Sequence, residues 1–235
     1  MGAVERRERE KAALRRKILD AGREILVADG YQALTMRKLA EKIEYTPGAL
    51  YIHFPDKDAL VRAICQSDMQ EFAQRCLVAL QTPEPIDQLR SLARLYARFA
   101  LEHPQQYKVL FVLDPVPPFS HDDLVERGNP ESDAYAILEI AVSNALAAGH
   151  FPAFHDRPQL VAQLLWAAMH GVVAIENRRH EGMQIPFEPI ELRVEAMCDT
   201  MLVGLAACTS VTSSTSSSPA KPTSKGAAAR RLRTV

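Results

Sequence analysis

The stretch "TMRKLAEKIEYTPGALYIHFP", residues 35–55, decides the fold of this chain. Thr35 is placed to cap a first helix, and Thr46 can cap a second one that has Pro47 at its first position, where a missing N–H costs nothing. The apolar side chains of the first helix share one face: Met36, Leu39, Ala40 and Ile43. Although "ALYIHF" has the composition of a strand, its neighbours offer no partner strand. Two short helices joined by a tight turn, with Pro55 ending the second, are therefore predicted, which is helix-turn-helix geometry.

The second of these helices has a small, accessible beginning. Gly48 and Ala49 follow the proline, and side chains of that size let backbone amides come close to a phosphate or a base edge. Leu50 is predicted to point back to the preceding helices, whereas Tyr51 and His53 lie on the other side and can reach outward.

Helical periodicity continues through most of the chain. Further helices are predicted over 10–29, 56–80, 85–103, 104–113, 131–149, 157–180 and 190–207. Residues 114–130 form a loop rich in Pro and Asp, and residues 209–235 have the low complexity of a disordered segment. The aromatic content of 6% within an apolar content of 47% also favours helices over a β-sandwich, so about nine helices in an all-α fold are expected.

Charge divides the chain. Residues 1–62 carry 13 Lys and Arg against 10 Asp and Glu, whereas residues 63–208 carry 10 against 19. Residues 209–235 hold five basic residues and no acidic one. The basic ends, rather than the acidic middle, are therefore expected to meet a polyanion, although solvated helix faces explain such runs equally well.

The composition also bears on location. The four cysteines have no paired spacing, and the first ten residues are charged where a signal peptide needs an apolar stretch. The longest apolar run, residues 164–175, is well short of the ~20 residues that cross a bilayer. We expect a soluble, cytoplasmic protein with reduced thiols and no contact with a membrane.

Residues 18–64, "ILDAGREILVADGYQALTMRKLAEKIEYTPGALYIHFPDKDALVRAI", resemble the DNA-binding domain of the TetR family of bacterial transcriptional regulators. A second resemblance follows in "LEHPQQYKVLF" (101–111), "AAGHF" (147–151) and "LLWAAMHGVVAIE" (164–176). These segments are similar to the ligand domain of the branch known for a Trp, His-Gly motif (WHG), which falls here on Trp166, His170 and Gly171.

The resemblance implies an all-helical homodimer in which helices 1–3 bind DNA and helix 4 joins them to a ligand-binding core. The last two helices would form the dimer interface, and the partners would be operator DNA and a small effector. The corresponding segments are a charged arm at 1–9, a helix-turn-helix DNA-binding domain at 10–55, a ligand-binding and dimerisation domain at 56–208 and a disordered basic tail at 209–235.

The resemblance also assigns roles to single residues. The residues implied in DNA contact are Thr35, Arg37, Thr46, Pro47, Gly48, Ala49, Tyr51, His53 and Lys57. Tyr51 could instead pack partly against helix 1, and Lys57 could be a solvated charge. Two positions depart from the family pattern: Glu44 stands where the turn usually has Gly, and Ile52 where relatives are often polar. If position 44 needs a positive φ, Glu costs roughly 1 kcal/mol there, and its charge lies near DNA.

A ligand cavity among the predicted helices 85–103, 104–113, 131–149 and 157–180 is expected from the same resemblance. Its candidate lining residues are Tyr96, Phe99, Tyr107, Phe111, Trp166, Met169 and His170. Plain core packing is the alternative for each aromatic, and His170 could be a satisfied core histidine. A metal site is not expected, since His150, His155, His170 and His180 lack i, i+4 spacing and no Cys joins them.

The resulting hypothesis is a ligand-responsive, homodimeric repressor without a cofactor. The alternative is a DNA-inert protein that keeps the fold for binding a ligand or a partner, which Glu44 alone favours. An enzyme is not expected, because the sequence has no GxSxG, P-loop, GxGxxG or HExxH motif.

Overall fold

A computed structural model describes residues 2–113, 121–179 and 184–210. Its α-helices, in chain order, are α1 (Ala3–Ala33), α2 (Met36–Ile43), α3 (Pro47–Tyr51), α4 (Lys57–Leu77), α5 (Pro85–Glu102), α6 (Pro104–Phe111), α7 (His121–Leu124), α8 (Ala134–Ala147), α9 (Pro158–Arg178) and α10 (Ile190–Ala207). Short 3₁₀ turns follow at Val78–Gln81 and Pro152–Phe154. Every regular element in these ranges is helical, which confirms the predicted all-α class.

Helix α1 is longer than its apolar periodicity predicts. It begins at Ala3 rather than near Glu10, so the charged segment at its start is continuous with the helix from residue 3 onward. At its other end Gly30 breaks the helix with φ 80° and ψ 172°, after which one more turn reaches Ala33. A positive φ suits glycine, and the predicted end of the long helix at this residue is confirmed.

The first core holds α1, α2, α3 and the beginning of α4 together. Leu39, Leu50 and Leu60 are fully buried in it, and Ala40 and Phe54 are nearly so, as the apolar spacing predicts. The predicted caps of α2 and α4 also form: the Thr35 hydroxyl accepts from the Lys38 N–H at 3.1 Å, and the Asp56 carboxylate accepts from the Ala59 N–H at 2.7 Å.

The second core lies among α4, α5, α8, α9 and α10. Its fully buried members include Tyr107, Ile137, Val142 and Val161. Helix α9 has the length and apolar composition of a membrane-crossing helix, and it packs against α5, α8 and α10. Exposed arginine–carboxylate pairs also tie α5 to α10, among them Arg94 with Glu195.

Two predicted segments fall partly outside the described residues. The loop predicted over 114–130 contains the short helix α7, a local turn that the apolar pattern does not signal, while residues 114–120 are not described. The predicted disordered tail falls outside the described residues from residue 211 onward.

Candidate nucleic-acid interface and ligand cavity

The turn between α2 and α3 is built on a left-handed residue that is not glycine. Glu44 has φ 62° and ψ 43°, and its N–H bonds to the Glu41 carbonyl at 3.3 Å while the Tyr45 N–H bonds to the Ala40 carbonyl at 3.0 Å. These bonds satisfy carbonyls at the end of α2. Position 44 therefore does adopt the positive φ whose consequence the sequence left conditional, and this conformation costs a residue with a side chain about 1 kcal/mol.

Helix α3 is a single turn that is anchored on one side and open on the other. Leu50 is fully buried and Phe54 is 2% exposed, whereas Tyr51 is 52% and Ile52 78% exposed. Thr46 occupies the predicted N-cap position, but its side chain makes no capping hydrogen bond. The structure thus brings Thr46, Pro47 and Gly48 to the surface beside the outward-facing Tyr51, with Ala49 half-buried.

Two of the other predicted DNA-contacting residues lie in existing interactions. Arg37, at the exposed start of α2, pairs with Glu41 at 3.0 Å, and an exposed pair of this kind is weak enough to exchange for a phosphate. The Lys57 Nζ lies 3.7 Å from the centre of the Tyr31 ring and donates to the Tyr31 carbonyl at 3.3 Å. Lys57 is therefore held at the end of α1 rather than fully solvated.

A residue of α4 also holds the Tyr31 side chain in place. Its hydroxyl group hydrogen-bonds to the Asp58 carboxylate, and this bond, with partial burial, raises the pKa of Tyr31 to about 12. The neutral phenol therefore keeps both its donor contact to Asp58 and the ring face on which the Lys57 ammonium lies. Tyr31 belongs to the last turn of α1, after the break at Gly30, and contacts the start of α4.

The half-buried His53 closes α3 next to a basic part of α1. Desolvation lowers the pKa of His53, and the nearby charges of Lys11 and Arg15 lower it further. The Arg15 guanidinium carbon lies 4.6 Å from the centre of the Phe54 ring. Sequence reasoning missed Lys11 and Arg15 as neighbours of α3. Their i, i+4 spacing was visible, but nothing local indicated which element they face.

A partly open cavity of about 790 Å³ lies along the second core and reaches the first. Of the seven candidate lining residues, Tyr96, Phe111, Trp166 and Met169 lie on its wall. Residues from three helices that sequence reasoning did not assign to the cavity also line it: Leu26, Gly30 and Tyr31 from α1, Cys65, Met69, Phe72 and Cys76 from α4, and Met197 and Cys198 from α10. Their apolar spacing is that of ordinary core residues, so the sequence carries no sign of the void.

The remaining three candidates stand behind this wall. Phe99 and Tyr107 are 2% and 0% exposed, and His170 is half-buried. The His170 Nδ1 lies 2.8 Å from the Tyr96 hydroxyl and 3.3 Å from the Tyr107 hydroxyl. Burial lowers the pKa of His170 and raises the pKa of both tyrosines, so the cluster is neutral at pH 7. The half-buried His170 thus contacts two hydroxyl groups through its Nδ1 atom, and one of them belongs to a residue of the cavity wall.

The thiols on the cavity wall are protonated. Burial raises the pKa of Cys65 and of Cys198 to about 11, and that of Cys76 to about 12. They contribute apolar surface rather than nucleophiles. Among residues 2–113, 121–179 and 184–210, no group of three His, Cys, Asp or Glu side chains could hold a metal ion.

A buried ion pair joins the two cores. Asp68 of α4 is fully buried and accepts three hydrogen bonds from the Arg23 guanidinium of α1, at 2.6, 2.9 and 3.1 Å. The Gln106 amide of α6 donates to Asp68 at 3.3 Å and to Glu71 at 2.8 Å. Helices α1, α4 and α6 are therefore fastened at one point, close to the cavity that all three line.

Two family models match the chain. Residues 18–64 match the model of bacterial regulatory proteins of the tetR family, and residues 89–201 match the tetracyclin repressor-like C-terminal domain. The chain belongs to the TetR family of bacterial regulatory proteins.

Individual relatives resemble the chain in different parts. The HTH-type transcriptional repressor Rv1474c of Mycobacterium tuberculosis is 42% identical over 62 residues, which cover 26% of this chain and 33% of that protein. The matched part thus spans a third of the length of that relative. A Rhodococcus sp. RHA1 protein of unknown function superposes with a TM-score of 0.66 at 24% identity, covering 82% of this chain and 95% of that one. A Rhodococcus RHA1 regulator of the tetR family gives 0.65 at 18% identity, over 83% and 97%. At these identities the two structures show the shared fold.

Proposed function

We propose that the chain is a sequence-specific DNA-binding transcriptional regulator, a homodimeric repressor that acts in the cytoplasm and releases its operator when a small effector binds. The observation that carries the proposal is the projecting α3. Leu50 and Phe54 fix it to the first core, while Tyr51 and Ile52 stand exposed beside its small N-terminal residues. An exposed aromatic and an exposed branched side chain on one fixed turn serve no purpose in packing, and they suit a major groove.

The exposed apolar face of α9 and α10 supports a homodimer. Leu164 and Ile175 of α9 and Leu192 and Val203 of α10 are between 37% and 67% exposed. Gly204 of α10 lies in open space, so another helix can approach closely there. A second copy related by a two-fold axis would cover this face, and it would present two copies of α3 to half-sites roughly 10–17 bp apart.

The cavity supports a small, largely apolar effector. Most of its lining side chains are apolar, and a few polar or charged residues, among them Gln163 and Glu139, also line it. We also propose that this ligand domain is of the WHG kind; what supports this is the Trp166 and His170-Gly171 motif, with Trp166 on the cavity wall and His170 against Tyr96. Filling the cavity would act on α1 directly, because Tyr31 lines the wall and also holds Lys57 at the start of α4. Such an effector shifts the population only if it prefers the state that does not bind DNA.

Selection of bound sequences from a random duplex pool tests the DNA-binding part of the proposal. We expect a pseudo-palindromic consensus whose affinity falls steeply with salt, since several phosphates are neutralised. Failure of any sequence to enrich would contradict it and would favour the DNA-inert alternative, in which the Glu44 carboxylate beside α3 repels the phosphates.

The proposal that a small effector binds the cavity can be tested by a separate measurement. Trp166 is the only tryptophan of the chain, so its fluorescence reports on the cavity wall. A small apolar compound that enters the cavity should change this fluorescence with saturation and should release the selected duplex over the same concentration range. Compounds that change the fluorescence but leave DNA binding intact would contradict the coupling.

A further inference from the structure

Two cations on α1 lie beside the end of α3 without acidic partners. The side chains of Lys11 and Arg15 are exposed, and neither forms an ion pair within the described residues. Their spacing of four residues places them on one face of the helix. By contrast, Arg6 pairs with Glu10 and Arg23 pairs with Asp20 and Asp68, so these two cations of α1 are neutralised locally.

The face of α1 that carries these cations continues into the face that packs in the first core. Ile18 and Gly22 continue the same line along α1 at the next helical turns. Ile18 is fully buried, and a Cβ added at Gly22 would lie 3.0 Å from the Ile64 side chain of α4. Toward the N-terminus this face reaches the end of α3, where the Arg15 guanidinium lies over the Phe54 ring.

This contact orients Arg15 without consuming its hydrogen-bond donors. A guanidinium that lies over an aromatic ring keeps the N–H groups at its edge free for a planar anion such as phosphate. His53 follows α3 immediately, and its ring lies 6.4 Å from that of Phe54. Lys11 and Arg15 both act on the charge state of His53, which places the two cations on the same side of the molecule as the end of α3.

A group of like charges without a counter-charge is unfavourable in the free protein, and a polyanion relieves it. The charges of Lys11 and Arg15 lie near this end of α3, and neither forms an ion pair within the described residues. The exposed Tyr51 and Ile52 project from the same short helix. A duplex that accepted these two side chains in its groove would bring a strand of its backbone toward the start of α1.

We propose that Lys11 and Arg15 form a phosphate-binding site that extends the DNA interface beyond the helix-turn-helix, onto the backbone that flanks each half-site. The inference rests on the proposed DNA-binding function. Because the cations face phosphates and not base edges, they add affinity without adding sequence preference.

The test compares two full-length double variants with the unsubstituted protein on a fluorescent duplex of the selected consensus. Lys11→Gln/Arg15→Gln removes the proposed site and keeps the side-chain stem over Phe54. Arg16→Gln/Lys108→Gln removes the same charge from exposed positions away from this face, one of them on the next residue of α1. Affinity is measured over a range of salt concentrations, and the His53 titration is followed by NMR in the absence of DNA.

In Lys11→Gln/Arg15→Gln, we expect the salt dependence of log affinity to be shallower by about 3.6, since the two subunits together lose four phosphate contacts and each contributes about 0.9. The consensus sequence should stay the same, and the pKa of His53 should rise. The control pair should change neither the slope nor the His53 titration appreciably. If the unsubstituted protein binds the duplex and both double variants keep its slope, the phosphate site is refuted while the proposed function stands. If the unsubstituted protein binds no duplex, both are refuted.

Discussion

The buried pair between Arg23 and Asp68 makes the sharpest prediction about stability. Arg23→Met removes the guanidinium and retains most of the apolar stem, so Asp68 is left fully buried with the Gln106 amide at 3.3 Å as its remaining hydrogen-bond donor among the described residues. Three hydrogen bonds between 2.6 and 3.1 Å are lost at once. Breaking a buried pair from one side typically costs about 3–5 kcal/mol, because a charge stays buried without its partner. We expect a loss of that size in the free energy of unfolding.

The loss should depend on pH in a defined direction. Burial already raises the pKa of Asp68, and Arg23 opposes that rise. Without Arg23 the folded-state pKa rises further above the unfolded value, so the folded state binds more protons than the unfolded state between the two. Stability of the variant should therefore fall as pH rises through this window, and the deficit should be larger at pH 7 than near pH 5.

Urea denaturation at fixed protein concentration measures both effects, and Arg90→Met is the matched control. Arg90 of α5 pairs with Asp87 of the same helix and with Asp199 of α10, and these pairs are partly exposed. Removing them should cost roughly 0–1 kcal/mol in the free energy of unfolding. The reasoning is refuted if Arg23→Met loses no more stability than Arg90→Met. A pH-independent loss would show that Asp68 does not carry the buried charge.

Three further perturbations test other parts of the molecule. Replacing both Tyr51 and His53 by Ala should weaken binding to the selected duplex without lowering the urea midpoint, because neither is part of the first core; unchanged affinity would contradict their role. Glu44→Gly should raise the free energy of unfolding by up to about 1 kcal/mol, since the left-handed strain disappears, and should tighten DNA binding; a drop in both would contradict this account of the turn. Truncation after Ala207 should leave the protein dimeric, so that light scattering gives the mass of two truncated chains. If the basic tail contacts phosphates, the truncated chain should also lose DNA affinity equally for all sequences, whereas equal affinity would show a tail that only aids solubility.

Local sequence predicts the helices of this protein well because their signals are local. The Thr35 hydroxyl and the apolar repeat that follows predict α2 with its observed bounds, and α10 likewise spans the predicted residues. The positive φ at Glu44 follows from the tight turn that two adjacent helices require. The start of α1 was predicted seven residues late, since its first turns are exposed and carry charges instead of an apolar repeat.

Some features of the candidate site also follow from local sequence. The outward position of Tyr51 and the buried position of Leu50 follow from helical spacing on a single turn, so the sequence by itself determined them. Caps, periodicity and turn chemistry act over about one to four residues, and a linear reading captures them. The family match rests on this continuous local pattern.

Only the tertiary structure decided which distant side chains meet. It places Tyr31 against both the cavity and Lys57, Arg23 against Asp68, and the cations of α1 beside the end of α3. It also leaves a cavity behind side chains whose spacing looks like ordinary core. Such contacts depend on how helices separated by tens of residues rotate and pack against one another, and a one-residue change in facing, about 100°, would break them without altering any local pattern.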